Sequence, residues 1–478
     1  MSETEPATCP PESTRSFDPA GRRVLVVCAA GGFTTLLDQS VLNIAIPALR
    51  DSLHADVTQV QWMVAGYSLA FGLALVPGGR LGDIRGRKPF FLAGMAIFTV
   101  GAALAGSSPH PWALVVARLL QGLGGGLVNS QMIGTIQDVF TGHARTRALG
   151  LYAVTGGVAG GLGPPLGGAV IAAAGPGVGW RVVLLLAVPF GLVTLMLAAR
   201  HLPPARGRVG SPDLDVVGLL LMGGLTVAMM LPFVQPSAGS AWGLWAATVC
   251  VLAGAFVLWQ RRYARSGRRP LVHPALMRSL PFASGAVTAM GYFGSGLAST
   301  LVLAMFLQEG LGLSAIAAAA VTLPSAAAMA ASSALAWRVA RRFGRHTVSV
   351  GLALSACAML ASGLAGLLAP RAGQPLLLGV CAMCAGAASG LVISPLQASV
   401  LQHAPAEAAG VAGGILQMAQ RISAAICISA VSGVYLNASE AGGYGPAYLH
   451  AALACAGVAA CAMIVSLLGI RTAAAARR

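Results

Sequence analysis

Two charged side chains stand inside apolar stretches of this sequence, where a charge is costly. Asp38 lies within the apolar run 24–47, away from its charged flanks. A carboxylate surrounded by hydrocarbon must face the protein interior or a watery cavity, pair with a cation, or carry a proton. Asp38 is therefore a candidate for binding and releasing protons, and a structural hydrogen-bonding role is the alternative.

Arg118 is the corresponding candidate cation, because it follows an apolar run within the stretch 112–136. At helical spacing, Gln121, Gly125 and Asn129 lie on the same face as Arg118. A guanidinium keeps its charge at physiological pH and must find acceptors or water. This polar stripe is typical of a cavity wall and indicates a proton relay or a substrate clamp, with a structural ion pair as the alternative.

A smaller polar set recurs late in the chain. Gln417, Gln420 and Arg421 lie within the apolar stretch 408–436, and we expect them to line a substrate cavity. Glu309 ends another apolar run, where it either binds protons or is a solvated residue at the membrane surface. The spans of this half contain no deep acid, so a neutral or anionic substrate is expected at least as much as a cationic one.

The composition decides what kind of chain positions these residues. Of the 478 residues, 56% are hydrophobic and only 9% are charged, whereas soluble proteins contain about 25% charged residues. Apolar runs of about twenty residues recur along the chain, each long enough to cross a hydrocarbon core as a helix. Backbone groups inside lipid must bond internally, so the sequence predicts an all-α integral membrane protein.

The sequence also argues against several other classes of protein. The net charge of +16 comes from short clusters between apolar runs, which fits membrane topology better than nucleic-acid binding. An ATP-driven pump needs a glycine-rich loop that ends in Lys-Ser or Lys-Thr, but the only lysine, Lys88, precedes Pro89. The histidines are dispersed, so we expect no metal site, no catalytic residues and no enzymatic activity.

About fourteen spans result when the chain is divided at charges, prolines and polar clusters. Six of them fall in an N-terminal bundle, residues 23–200, and six in a C-terminal bundle, residues 282–471, with two more in a central insertion, residues 201–281. Residues 1–22 are expected to form a disordered tail, and residues 472–478 a second tail. Basic residues concentrate in alternate loops, which places both tails in the cytoplasm and the chain in a bacterial cytoplasmic membrane.

A glycine- and arginine-rich loop follows the second span and reads G-G-R-L-G-D-I-R-G-R-K-P, residues 78–89. Its single acid lies among four cations, an arrangement suited to a charge latch that holds neighbouring helices in one state. The residues expected to form this latch are Gly79, Asp83, Arg85, Gly86 and Arg87. The loop closely resembles the signature loop of the major facilitator superfamily.

Further motifs resemble those of the fourteen-helix branch of drug:proton antiporters in that superfamily. L-D-Q-S-V-L-N-I-A-I-P, residues 37–47, resembles its first-helix motif, and A-R-L-L-Q-G-L-G-G-G, residues 117–126, is similar to its intramembrane arginine motif. Residues 157–168, G-V-A-G-G-L-G-P-P-L-G-G, resemble a motif associated with antiporters rather than importers. The residues of interest in this antiporter motif are Gly157, Gly161, Gly163, Pro164, Gly167 and Gly168.

The resemblance implies two six-helix bundles plus two extra central helices, with the substrate bound between the bundles near the membrane mid-plane. Asp38 and Arg118 then correspond to residues implicated in coupling, with Glu309 as a further candidate. Pro164 and Pro165 are expected to create a hinge or kink. The expected cavity residues are Gln39, Asn43, Trp62, Tyr67, Gln121, Asn129, Gln417, Gln420 and Arg421.

The chain is accordingly expected to be a proton-coupled exporter of small molecules that works by alternating access, without a cofactor and as a monomer. Its expected partners are a small-molecule substrate, protons and the lipid bilayer, and not nucleic acid. Two alternatives stay open: an importer of a small solute, and a receptor or sensor that keeps a transporter fold without moving its ligand.

Overall fold

The computed structural model describes residues 18–140, 142–204, 213–234, 242–403 and 409–475 of the chain. Within this part of the chain, fourteen helical segments are long and apolar enough to cross a membrane. This confirms the predicted all-α, multi-pass membrane protein. The long apolar runs become helices because only internal hydrogen bonds satisfy the backbone in hydrocarbon.

The helices of the described residues are, in chain order, α1 (Pro19–Leu53), α2 (Val57–Arg85), α3 (Arg87–Gly106), α4 (Pro111–Val139), α5 (Gly142–Ala174), α6 (Pro176–Leu185), α7 (Ala187–His201), α8 (Val216–Val234), α9 (Trp242–Arg265), α10 (Pro274–Arg278), α11 (Leu280–Met305), α12 (Ala315–Phe343), α13 (Thr347–Leu368), α14 (Gln374–Gln402), α15 (Ala409–Gly442) and α16 (Tyr444–Ala475). The π-helical turn Phe306–Gly310 continues α11, and α6 and α7 together form one span. We call the end of the bundle at which α2 meets α3 the loop end.

The connection from α1 to α2 illustrates how local chemistry turns the chain at the opposite end. His54 ends α1 in the left-handed conformation. Asp56 then caps α2 by accepting a hydrogen bond from the Gln59 N–H at 2.7 Å, and the Gln59 side chain accepts one from the Asp56 N–H at 2.9 Å. This capping box satisfies two backbone donors that the first turn leaves open, so α2 starts at a defined residue.

Packing divides the helices into two bundles, α1–α7 and α11–α16, that meet along three pairs of helices. These pairs are α2 with α15, α5 with α12, and α1 with α11. Glycines set the close approaches: a Cβ atom at Gly122 or Gly126 of α4 would collide with a backbone carbonyl of α2. At the interface between the bundles, a Cβ atom at Gly72 of α2 would lie 3.1 Å from the Cβ of Arg421 on α15. Small residues therefore bring the backbones close enough for short polar side chains to meet between helices.

The central insertion is a pair of packed helices, α8 and α9, and α8 lies against α2 and α15. Asp215 holds the pair at the loop end and is only 2% exposed. Its carboxylate accepts hydrogen bonds from the Gly218 N–H (3.0 Å), Trp259 Nε1 (2.7 Å), Gln260 Nε2 (2.6 Å) and the Leu271 N–H (2.8 Å). One buried carboxylate thus caps α8, fixes α9 and anchors the segment that follows α9.

Arg80 joins the insertion to the loop end of α2. Its guanidinium donates to the carbonyl oxygens of Asp213 (2.8 Å), Arg269 (2.9 Å) and Pro270 (2.5 Å). The Asp213 carboxylate also accepts hydrogen bonds from the Tyr263 hydroxyl and the Arg269 N–H. Burial alone raises the pKa of Asp213. These two hydrogen bonds and the charge of Arg80 lower the pKa by more than burial raises it, so the pKa of this carboxyl stays below its ordinary value.

The two predicted tails are partly helical. α1 begins at Pro19, so residues 19–22 extend the first helix, because a proline at the first helical position needs no hydrogen-bond acceptor. α16 continues to Ala475. The predicted disorder of residues 1–17 lies outside the described residues, as do residues 476–478 and the two arginines at 206 and 208.

We expect Asp215→Ala to detach the insertion from the segment at 269–271. The change leaves several buried donors without an acceptor, at a cost of about 1–3 kcal/mol for each. The measurement is the melting temperature of the purified full-length protein in detergent, together with protease cleavage between α9 and α10, where the anchored segment lies. Asp18→Ala is the matched control, because Asp18 precedes α1 without a side-chain cap hydrogen bond. Equal melting temperatures and cleavage rates for the two variants would contradict this role of Asp215.

Candidate functional site

A buried ion pair joins α1 to α4 within the first bundle. Arg118 Nη1 donates to Asp38 Oδ2 at 2.7 Å, and the two side chains are 1% and 0% exposed. Gln121 lies one turn after Arg118 and closes a triangle: its Oε1 accepts from Arg118 Nη1 at 2.7 Å, and its Nε2 donates to Asp38 Oδ1 at 2.8 Å. Both carboxylate oxygens are therefore used, which a buried charge requires.

The face of the Arg118 guanidinium lies over the ring of Tyr67 on α2, 4.3 Å from its centroid. Arg118 Nε and the Tyr67 hydroxyl are both buried without a hydrogen-bond partner. The ring supplies a cation–π contact that offsets part of the lost hydration. The Arg118 guanidinium is thus bonded through Nη1 and covered on one face, and its Nε–H is an unused donor.

A second guanidinium reaches the same region from the other bundle. Arg421 on α15 donates from Nη1 to Gln39 Oε1 at 2.7 Å, and its guanidinium carbon lies 4.3 Å from the centroid of the Phe71 ring. Tyr67 and Phe71 are one turn apart on α2, so each ring covers one arginine. On α1, Asp38 accepts a hydrogen bond from Arg118, and the next residue, Gln39, accepts one from Arg421.

Two cavities lie on either side of this layer. The first is lined by Gln39, Asn43 and Tyr67 and by apolar side chains of both bundles, including Leu301 and Ile428. The second is a cleft at the loop end. Its lining residues are Leu75, Val76, Gly79, Arg80, Asp83, Arg87, Ser130, Ile133, Gly134, Gln137, Gly413, Gly414 and Gln417.

The signature loop forms an ion triad of three helices. Arg87, the first residue of α3, donates from Nη2 to Asp83 Oδ1 on α2 at 2.6 Å and from Nε to Asp138 Oδ2 on α4 at 2.5 Å. Gly134 leaves room for the guanidinium against α4. Gly86 has a φ of +91° between α2 and α3, a conformation that strains other residues. The triad lies wholly in the first bundle and faces the cleft.

The other cations of the loop do not gather around Asp83. Arg80 binds the insertion, as described above, and Arg85 is exposed. Lys88 donates to the carbonyl oxygens of Ala199 (2.7 Å) and Leu202 (3.1 Å) at the end of α7. Like charges repel, and the unpaired carbonyls of a helix C-terminus attract cations, so these side chains separate along the surface. Gly79 has open space beside it, and it lines the cleft.

The antiporter motif lies on α5 and contacts two neighbours. Gly163 and Gly167 face α1, where a Cβ atom at Gly163 would collide with Ser40. Gly161 and Gly168 face α12 of the second bundle, and a Cβ atom at Gly168 would lie 2.9 Å from the Ala315 carbonyl oxygen. A Cβ atom at Gly157 would lie 3.6 Å from Met329 Cε of α12. The motif therefore packs the two bundles together.

α5 continues as one helix through Pro164 and Pro165 to Ala174, and a hinge or kink at these prolines stays a prediction. Pro164 lacks the N–H that would bond the carbonyl of Gly160. That carbonyl instead accepts a hydrogen bond from the Ser40 hydroxyl at 2.9 Å. A side chain of α1 thus replaces the backbone donor, as membrane helices allow.

At the opposite end, the bundles are joined by a salt bridge. Arg50 Nη1 at the end of α1 lies 3.6 Å from Glu309 Oε2 in the π-helical turn that continues α11. Glu309 is thus placed at the far end of the bundle and not beside the ion pair of α1 and α4. The cleft thus lies at the loop end, and this pair joins the two bundles at the opposite end.

The remaining predicted cavity residues have separate positions. Asn129 Nδ2 donates to the Tyr152 hydroxyl at 2.9 Å, and Gln417 lines the cleft. Gln420 is buried, with its Nε2 lacking a partner. Trp62 packs against the apolar core of the molecule. These four do not converge on the layer of the two arginines.

Three contributors were not singled out from the sequence: Phe71, Asp138 and Arg50. Asp138 had a usable signal, because an acid at the end of a span beside a basic loop often pairs with it. Phe71 had none, because one aromatic residue in an apolar helix resembles any other. Arg50 stood alone among few charges at the opposite end, which was a weak signal for a pair.

Two six-span helical bundles that enclose a buried ion pair and a cleft define the architecture of a secondary membrane transporter. Residues 28–428 match the family described as Major Facilitator Superfamily, and the chain belongs to that superfamily.

Relatives of the chain include a probable transporter and a resistance and export protein. It is 35% identical over 379 residues to a probable actinorhodin transporter of Streptomyces coelicolor, covering 75% of this chain and 65% of the relative. It is 31% identical over 340 residues to a tetracenomycin C resistance and export protein of Streptomyces glaucescens, covering 70% of this chain and 62% of the relative. The matches thus span less than two thirds of the length of both relatives.

Among solved structures, the xylose transporter XylE from E. coli matches with a TM-score of 0.63 and 15% identity. The match covers 93% of this chain and 96% of the transporter. At this identity, the likeness shows the fold.

We expect Asp83→Asn to favour the conformation that is open at the loop end. Asp83 is 54% exposed and lies across the cleft from Gly413 and Gly414 in the first turns of α15, so its charge attracts that positive helix end when the cleft closes. A cysteine introduced at Gly414 in a cysteine-free background should then react faster with a membrane-permeant maleimide. Glu440→Gln, at the opposite end, is the control. Unchanged reactivity in Asp83→Asn would remove Asp83 from the latch.

Proposed function

We propose that this protein is a proton-coupled exporter of small molecules that works by alternating access. The observation that carries the proposal is the buried pair of Asp38 and Arg118 beside a cavity lined by both bundles. Asp38 is the one acid among the described residues that lies deep within a span. The names of the relatives support export as the direction.

The ion pair offers a physical means of coupling. While Asp38 is ionised, it holds Arg118 and Gln121 and ties α1 to α4. A proton on Asp38 removes the charge that holds Arg118, so the guanidinium can turn to water or to a ligand in the adjoining cavity. Binding a proton therefore changes how α1 and α4 are joined at the cavity wall.

The orientation follows from the distribution of basic residues. Most arginines and Lys88 fall in loops at the loop end, which supports a cytoplasmic position for this end and for both termini. The cleft then admits substrate from the cytoplasm, and opening of the Arg50–Glu309 bridge releases it outside. The proton gradient is the energy source, no cofactor takes part, and one chain supplies both walls of the pathway, so we propose a monomer in the cytoplasmic membrane.

Transport in membrane vesicles of both orientations tests the direction. In everted vesicles an acidic interior should drive a fluorescent substrate inwards, at a rate that collapses when a protonophore removes the gradient. An importer would accumulate the substrate in right-side-out vesicles instead. Binding without accumulation in either orientation would indicate a receptor and contradict the proposal.

Neutralising the ion pair separates coupling from folding. Asp38→Asn leaves Arg118 buried without a countercharge, which costs about 3–5 kcal/mol, so we expect a lower folded yield and no gradient-driven export. The double variant Asp38→Asn/Arg118→Gln removes both charges and should recover the yield. It should still lack gradient-driven export, measured per folded molecule. Parental export rates in the double variant would show that the pair is only structural.

A further inference from the structure

Arg421 is a guanidinium without a countercharge, at the contact between the bundles. The ion pairs among the described residues join Arg50 to Glu309, Arg87 to Asp83 and Asp138, and Arg118 to Asp38. Arg421 belongs to none of them. Its hydrogen-bond acceptor is the neutral amide oxygen of Gln39, and the Phe71 ring covers one face of its guanidinium.

The neutral acceptor leaves Arg421 electrostatically unsatisfied. A guanidinium does not lose its proton in a protein, so burial cannot neutralise it. An amide oxygen forms one hydrogen bond to Nη1, whereas a carboxylate could bond two nitrogens of the fork and cancel the charge. In the second bundle, the acids of the sequence are Glu309, Glu407 and Glu440, all near the ends of spans. The second bundle therefore supplies no carboxylate at this depth, and Asp38 of the first bundle is paired with Arg118.

Arg421 also lies on the path between the two cavities. On α2, Tyr67 lines the inner cavity and Leu75 the cleft, with Phe71 midway between them. On α15, Ile428 lines the inner cavity and Gln417 the cleft, and Arg421 falls between these two. The contact of Arg421 with Phe71 and Gln39 is thus the layer that separates the cavities. Along α15, Arg421 therefore lies between the residue that lines the inner cavity and the residue that lines the cleft.

We propose that Arg421 binds the acidic group of the transported molecule, and that the substrate class is small apolar organic anions, such as carboxylates or ionised phenols. The inference rests on the proposed export function and adds the charge of the substrate to it. The acidic group displaces Gln39 from Arg421, and the apolar body lies against Phe71 and the apolar wall of the inner cavity.

The neighbouring ion pair explains why Arg421 and not Arg118 takes this role. Arg118 already has a carboxylate partner and a glutamine that bonds both members of the pair. An anionic ligand would have to compete with Asp38 for Arg118, but only with a neutral amide for Arg421. The two arginines therefore have different roles: Arg118 is held by Asp38, and Arg421 can exchange its amide acceptor for an anion.

The test uses three probes with one ring system and different charges: anthracene-9-carboxylate, its methyl ester and 9-(aminomethyl)anthracene. Their dissociation constants are measured by fluorescence with the purified full-length protein in detergent at neutral pH. The parent should bind the carboxylate at least about tenfold more tightly than the ester, as expected for a hydrogen bond between charged groups. Arg421→Gln should abolish this preference, and Arg421→Lys should retain part of it.

Gln39→Glu tests the site with Arg421 in place. The new carboxylate would lie where the amide oxygen now accepts from Arg421 and would occupy the guanidinium permanently. We therefore expect this variant to fold and to lose the preference for the carboxylate probe. Gln402→Glu, on the exposed end of α14, adds the same charge elsewhere and should keep the parental preference.

The proposal is overturned if the parent binds acid and ester equally, prefers the amine, or binds none of the three probes. It is also overturned if Gln39→Glu keeps the parental preference. Export is measured separately, as accumulation of each probe in proteoliposomes under a proton gradient. Accumulation of the ester or amine without a preference for the acid would leave proton-coupled export standing and remove only the anion site. Selective binding of the acid without accumulation of any probe would leave the site standing and count against export.

Discussion

The arrangement of this protein depends on one buried charge pair, Asp38 with Arg118. Two ions removed from water in the middle of a membrane span are tolerated only if their hydrogen bonds and countercharge are supplied by the protein. Gln121 supplies two of those bonds and the Tyr67 ring covers one face. Glycines of α4 bring α2 close enough for the Tyr67 ring to reach Arg118. The environment of the pair therefore depends on the packing of α1, α2 and α4.

The surroundings of Arg421 are similar to those of Arg118, except that its acceptor carries no charge. Arg421 also stacks on an aromatic ring of α2 and is also held by α1, but its acceptor is a neutral amide. It comes from the other bundle, so this contact crosses the interface between the bundles. A charge that is compensated within one bundle and a charge that is uncompensated between bundles are the two features on which our proposals of proton coupling and of substrate charge rest.

The sequence predicted the parts of this arrangement that depend on local spacing or on a charge in an apolar run. Asp38 and Arg118 stood out because their neighbours are apolar, and Gln121 followed from its helical spacing to Arg118. The fourteen spans followed from apolar length alone. The sequence could not show that Arg87 bonds Asp138, that Ser40 satisfies the carbonyl freed by Pro164, or that Arg421 meets Gln39, because these contacts join distant segments and depend on helix packing. For the same reason the four cations of the signature loop were expected to cluster around Asp83, whereas only Arg87 bonds it, Arg80 and Lys88 bond backbone carbonyls elsewhere, and Arg85 is exposed.

The central claim is that Asp38 exchanges its proton while it is part of the buried pair. Infrared difference spectroscopy of the purified protein tests this most directly, because ionised and protonated carboxyl groups absorb at different frequencies. Spectra are recorded as the pH is lowered, for the parent and for Asp38→Asn. Our account predicts a carboxylate band that is replaced by a protonated-carboxyl band in the parent and is missing in the variant. Identical difference spectra for the two proteins would show that Asp38 does not titrate and would contradict the account.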